Sequence, residues 1–293
     1  MISKTKNTVL IALDMSEMDH ALVGYLKVVM ELIDVEKMIF LHNVRLRELP
    51  NEMRGTEMLT KIKDRVKARI ENQLKTSQLL FNIHEIRVET EEFSENAFDR
   101  VTKQHKVDLI VLGNKQHLEG DGGLAQKLIR LLPCDMLLIP ETIRLSSKKY
   151  LCAIDFSKYS KSVYNVGKFL AGKNPHSHLI LIHVAKVPVH FFLGLSETEI
   201  RKLLKEETES KKMKWVKQHQ ISSEIEIIQA DGKHIASAIL QHAELNKVSI
   251  VIMGVKGVST ITNLFIGGVT NEMFHHDTDA AILILKDNQK MPL

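Results

Sequence analysis

From residue 254 to residue 270 the chain reads Gly-Val-Lys-Gly-Val-Ser-Thr-Ile-Thr-Asn-Leu-Phe-Ile-Gly-Gly-Val-Thr. The pattern is Gly-x2-Gly-x9-Gly-Gly-Val-Thr, and a helix-compatible run follows it. Physically this is the pattern of a phosphate cradle. Glycines let the backbone turn and approach an anion closely, and the N–H groups at the start of a helix then face the negative charge. Gly254, Gly257, Gly267 and Gly268 supply the turns, and Thr270 is placed to add a hydroxyl donor. Two residues elsewhere belong with the loop. Asp155 ends one apolar run and can accept from a base amino group, and Val184 ends another. Taken singly, each glycine reads equally well as a turn residue, and Asp155 or Ser157 as a helix cap. Their combination points to a ligand.

The elements that would hold these residues occur twice. Val9-Leu-Ile-Ala-Leu-Asp14-Met-Ser16 matches Leu151-Cys-Ala-Ile-Asp155-Phe-Ser157, and Met38-Ile-Phe-Leu-His42 matches Leu179-Ile-Leu-Ile-His183. Asp108-Leu-Ile-Val-Leu-Gly113 matches Ser249-Ile-Val-Ile-Met-Gly254. Asp14 to Asp155, His42 to His183 and Gly113 to Gly254 are all separated by 141 positions. A repeat this long is a duplicated domain, not a solenoid unit. The seam is expected in the short polar stretch Pro140 to Lys149, giving domains 1–145 and 146–293.

Short apolar runs recur at 8–13, 38–44, 83–88, 107–112 and 136–139, and again at 150–154, 178–184, 224–229, 248–253 and 281–285. They are continuous rather than alternating, as in strands buried on both faces of a parallel sheet. Helical stretches lie between them. Ser16 is a candidate N-cap. In the run Glu199 to His219, Ile200, Leu203, Leu204, Met213 and Val216 are expected to form the buried face. Strand and helix in alternation imply right-handed crossovers and a doubly wound α/β sheet. In such a sheet ligands bind beyond the carboxyl ends of the strands, where Asp155, Val184 and Gly254 stand.

On these residues both halves resemble universal stress protein domains: the first-strand Asp, the His-Val ending of the second strand, and the glycine loop before the last helix. The resemblance covers essentially the whole chain. It implies two tandem flavodoxin-like (adenine nucleotide alpha hydrolase-like) domains. Each would be a five-stranded parallel sheet of order 3-2-1-4-5 with helices on both faces. It also implies binding of ATP or a related adenine nucleotide, which Mg²⁺ could accompany. Asp155 and Val184 would then hold adenine, and Gly254, Gly257, Gly267, Gly268 and Thr270 the ribose and phosphates. The chain departs from the family at Gly268, where Ser or Thr is usual. The missing hydroxyl weakens phosphate binding by roughly 1.5–3 kcal/mol without removing the backbone donor.

The first half departs further. Matching Gly122-Gly123 to Gly267-Gly268 leaves its loop four residues shorter. Gln116 replaces the second glycine, Ala125 replaces Thr270, and Glu119 and Asp121 bring negative charge. These changes work against an anion, so nucleotide is expected in the second domain only, with the first packing, docking partners or binding something else.

Composition limits the alternatives. The 293 residues are 44% hydrophobic and 26% charged, which suits a folded chain. A net charge of +4 gives no case for nucleic acid. No apolar run approaches the ~18 residues of a membrane span, and Val9 to Leu13 is too short for a signal core, so a cytoplasmic protein is expected. Cys134 and Cys152 read as buried, inert thiols. The chain carries no Gly-x4-Gly-Lys-[Ser/Thr] loop and no Gly-x-Ser-x-Gly elbow, so an enzyme is not expected, beyond at most slow ATP hydrolysis. His275-His276-Asp277-Thr278-Asp279 reads as a polar helix end, and Val187 to Leu195 as a lid, as a contact surface or equally as a loop tucked against its own helix. The main reading is a stress or regulatory protein whose nucleotide-dependent surface is read by a protein partner, as a monomer with an internal pseudo-dimer or as a homodimer. Its rivals are an interaction protein of the same fold that has lost nucleotide binding, and a slow ATPase.

Overall fold

The computed structural model describes residues 6–77, 84–116, 118, 123–143, 148–186, 196–230, 234–257 and 267–286. The chain divides into two units with the boundary between Ser146 and Ser147.

In the first unit the elements are β1 (Asn7–Leu13), α1 (Met18–Leu32), β2 (Val35–Asn43), α2 (Thr56–Thr76), β3 (His84–Glu89), α3 (Ser94–His105), β4 (Leu109–Asn114), α4 (Gly123–Leu131) and β5 (Asp135–Pro140). The strands are parallel in the order β3-β2-β1-β4-β5. The second unit repeats this with β6 (Lys149–Ala153), α5 (Ser160–Gly172), β7 (His178–Ala185), α6 (Glu197–His219), β8 (Ile225–Gln229), α7 (Ile235–Leu245), β9 (Ile250–Gly254), α8 (Gly268–Met273) and β10 (Ala281–Leu285). Its order is β8-β7-β6-β9-β10, again parallel. Both units therefore have the expected 3-2-1-4-5 sheet. Right-handed crossovers that run in opposite directions from the central strand place helices on both faces.

This two-sided cover is why the apolar runs are continuous. Val9, Leu10 and Ile11 of β1, and Ile250, Val251 and Ile252 of β9, have no exposed surface. Leu22, Leu26 and Val29 line the buried stripe of α1 at helical spacing. Cys134 and Cys152 are buried free thiols, and complete burial drives the Cys152 thiol far above the usual range.

Two local expectations change. The N-cap of α1 is Glu17 rather than Ser16, although the Ser16 hydroxyl still accepts from the Met18 amide at 3.3 Å. On α6, Ile200 is buried, but Leu203 and Met213 are 51% and 64% exposed. The residue that anchors this helix is Trp215, 4% exposed. Its large ring buries enough surface to fix the helix without a continuous apolar stripe.

Backbone detail repeats as well. Met15 (φ 65) and Phe156 (φ 61), 141 positions apart, are both left-handed. That conformation costs a non-glycine residue roughly 1–2 kcal/mol. In each unit it turns the chain sharply between the first-strand aspartate and the first helix. The turn is braced by a buried acceptor. The Asp14 amide donates to Asp19 at 3.1 Å, and the Asp155 amide donates to the Ser160 hydroxyl at 3.0 Å.

Candidate functional site

In the second unit the ends of β6, β7 and β9 open into a cavity of about 660 Å³. Asp155, Val184, Gly254, Gly257, Gly267, Gly268 and Thr270 all line it. Residues up to 115 positions apart in sequence are thus brought to one place by the parallel sheet.

Asp155 sits where β6 gives way to α5. Its Oδ1 accepts from the Ser157 amide at 3.0 Å and from the Ser160 hydroxyl at 2.6 Å. Neither Asp155 nor Ser157 caps α5, whose N-cap is Tyr159 with no side-chain hydrogen bond; the carboxylate instead braces the turn that leads into the helix. Its other oxygen, Oδ2, faces Gly257: a Cβ built at residue 257 would stand 2.7 Å from it. No side chain fits between them without displacing the carboxylate. The glycine here is a matter of close approach, not of backbone angle.

The glycine turn is held by its own backbone. The Gly267 amide donates to Val255 O at 2.9 Å, and the Asn271 amide donates to Gly267 O at 3.0 Å. Gly268 opens α8, and a Cβ added there would meet nothing within 4 Å. Thr270 is only 2% exposed, and its hydroxyl donates to Gly254 O at 3.1 Å. That single proton ties α8 to the end of β9, so the role of Thr270 in this arrangement is to brace the cradle, not to donate into it.

His183, near the end of β7, donates from Nδ1 to Ile154 O at 2.7 Å. A carbonyl can only accept, so the ring carries its proton on Nδ1. Burial holds His183 below its ordinary pKa, against the pull of that hydrogen bond and of Asp155. The ring stacks on Phe156 with centroids 4.4 Å apart, and Phe156 in turn meets Trp215 of α6 at 6.0 Å. This aromatic column fixes α6 beside the Asp155 turn. Thr208, Lys211, Lys214, Trp215 and Gln218 consequently line the cavity, as do Ile235 and Ile239 of α7. The glycine pattern gave no hint of this wall. The spacing of Thr208, Lys211, Trp215 and Gln218, three or four residues apart, is the signal that marks one helix face.

The first unit answers the same positions differently. Lys115 Nζ lies 2.7 Å from Asp14 Oδ2. Burial raises the Asp14 pKa, but the hydrogen bonds from Lys115 and Ser16 win and hold it below the ordinary carboxylate value. After β4, the amides of Gln116 and Leu118 both donate to Glu141 Oε1 at 2.8 Å. A carboxylate of the chain itself thus takes backbone donors that a ligand anion would otherwise use. Gly113 packs against the buried Met18 side chain. Glu119, Asp121 and Gly122 lie outside the described residues, as does the Val187 to Leu195 stretch.

Residues 146–278 match the family model described as the universal stress protein family. Among solved structures the chain is similar to a universal stress protein from Archaeoglobus fulgidus DSM 4304, with a TM-score of 0.66 at 15% identity, over 98% of both chains. It is also similar to a functionally unknown protein from Pseudomonas aeruginosa PAO1, with a TM-score of 0.65 at 10% identity, over 98% of this chain and 95% of that one. At such identities the likeness shows the fold. No curated protein matches the chain.

Proposed function

Through residues 146–278 this chain belongs to the universal stress protein family, and on that premise we propose that its second unit binds ATP or a related adenine nucleotide. The observation that carries the reading is the convergence of Asp155, the Gly254–Gly257 turn and the Gly267–Gly268 helix start on one cavity. The chemistry of these groups suits the ligand. Asp155 is an acceptor for an exocyclic amino group, Val184 offers an apolar edge for a base, and the glycines leave amides and open space for phosphates. Lys256, beside the loop, adds positive charge.

The first unit is proposed to carry no nucleotide. Its aspartate is neutralised by Lys115 and its loop amides are held by Glu141. One nucleotide per chain is the expected stoichiometry. The role is regulatory: the bound and empty forms of the second unit present different surfaces to a protein partner. A ligand can do this only by binding one form better than the other.

Mass spectrometry of the purified chain and calorimetric titration with ATP test the reading. Asp155→Ala and Gly257→Glu are each expected to abolish retention. Gly268→Ser enters open space and restores a hydroxyl beside the helix start, so it should tighten ATP binding, with roughly 1.5–3 kcal/mol as the ceiling. A chain that holds two equivalents of ATP, or an Asp155→Ala variant that binds normally, would overturn the assignment.

A further inference from the structure

We infer that α6 supplies the electrostatic wall of the second-unit cavity, and that Lys211 and Lys214 select a nucleoside di- or triphosphate over a nucleoside; the inference rests on the nucleotide reading above. Among the described residues, three cations line the cavity, Lys211, Lys214 and Lys256, against one lining acid, Asp155. That acid is positioned to meet the base, so the positive surplus is left for the anionic part of the ligand. Two of the three cations belong to α6.

The state of these lysines favours the same role. Lys211 has a partner, Glu207 at 2.6 Å, but both side chains are more than half exposed, and such a pair is held weakly in water. The charge of Lys211 also reaches into the site, where it acts on the His183 ring and favours its neutral form. Among the described residues no carboxylate pairs with Lys214. Both lysines flank Trp215, which is fixed on Phe156 and His219. Flexible side chains are thereby mounted on a rigid point beside the Asp155 turn. On the glycine side, Gly268 brings no side chain and the Thr270 hydroxyl is committed to Gly254 O. The side-chain donors lost there are supplied from α6 instead.

The test is calorimetry on the full chain with adenosine, AMP, ADP and ATP, at low and high salt. The wild-type chain is expected to bind more tightly with each added phosphate, and salt should weaken ATP far more than adenosine. In the Lys211→Gln/Lys214→Gln double variant, ATP affinity should fall about tenfold while adenosine changes less than about twofold. Lys212→Gln is the control, because Lys212 pairs with Glu209 and does not line the cavity. It should leave both affinities unchanged. An unaltered ATP-to-adenosine ratio in the double variant overturns the role of α6, as does an equal loss in Lys212→Gln, which would mean a diffuse field. Absence of binding by any of the four ligands in the wild-type chain instead overturns the nucleotide reading itself.

Discussion

Asp19 and Ser160 occupy the same place in the two units, 141 positions apart, and the exchange Asp19→Ser turns that difference into a measurement. Asp19 is 2% exposed, and burial, the leading cause, together with the nearby Asp14 charge raises its pKa from 3.8 to about 6. The amides of Asp14 and Met15 and the Arg69 charge pull the other way without prevailing. A carboxyl with a raised folded value holds its proton more tightly folded than unfolded. Its favourable contribution is complete below the unfolded value and is lost as pH rises through about 6. With about 1.4 kcal/mol per pKa unit, the shift leaves the fold about 3 kcal/mol weaker at pH 8 than at low pH, and roughly half of that at pH 5, where the group is ionised only in the unfolded chain. Serine carries no such cost. It keeps the acceptor for the Asp14 amide, as Ser160 does for Asp155, but leaves the Met15 amide, now 2.9 Å from Asp19 Oδ2, without one. That loss is about 1–3 kcal/mol and does not depend on pH. Urea unfolding followed by circular dichroism should therefore show the variant gaining on the order of 1 kcal/mol relative to wild type between pH 5 and pH 8. Equal differences at the two pH values would refute the argument, whatever their size, because the hydrogen-bond loss cancels in the comparison.

Further outcomes follow from the same geometry. His42 and His183 both donate Nδ1–H to the end of the neighbouring strand and are held below the usual histidine value near 6.5, chiefly by burial. They stabilise the fold above that value and lose the contribution as pH falls through their folded values. In an NMR titration both should protonate later than a surface histidine, and a midpoint at or above 6.5 for either would count against this account. Gly257→Ala places a methyl group against Asp155 Oδ2 and should cost about 1–3 kcal/mol of stability. It should weaken adenosine as well as ATP, because the methyl group displaces the carboxylate that meets the base, and a loss confined to ATP would contradict that placement. Glu141→Ala removes the acceptor shared by Gln116 and Leu118, so hydrogen exchange at those two amides should quicken by tenfold or more, for about 1.4 kcal/mol. Unchanged protection would show that the carboxylate does not hold the loop.

What could be read from sequence was what is encoded locally or by exact spacing. The strands of a parallel sheet announce themselves as continuous apolar runs, and the 141-residue register made the second sheet readable from the first. The glycine turn was readable from its spacing, and at 257 any side chain would have to displace the Asp155 carboxylate. The α6 wall was not, because its apolar residues misled. Leu203 and Met213 stand at helical spacing with Ile200 yet face water, since one indole on Phe156 suffices to seat the helix. The closing of the first unit was hidden for a different reason. Sequence pointed to Glu119 and Asp121, within the short loop, as the charges opposing an anion. The carboxylate that takes the loop amides is Glu141, 25 positions from Gln116. It is delivered there only because β5 pairs with β4, with Pro140 beside Asn114. Lys115 and Lys256 are the same residue type in the same register, so the lysine alone could not distinguish the units. The difference lies in what comes from the neighbouring strand. The first unit therefore does not oppose an anion through its loop residues alone. Its own carboxylate and ammonium now satisfy the donors and the acid that a ligand would have met. Restoring glycines to the loop alone would leave Glu141 and Lys115 still competing with any nucleotide offered to it.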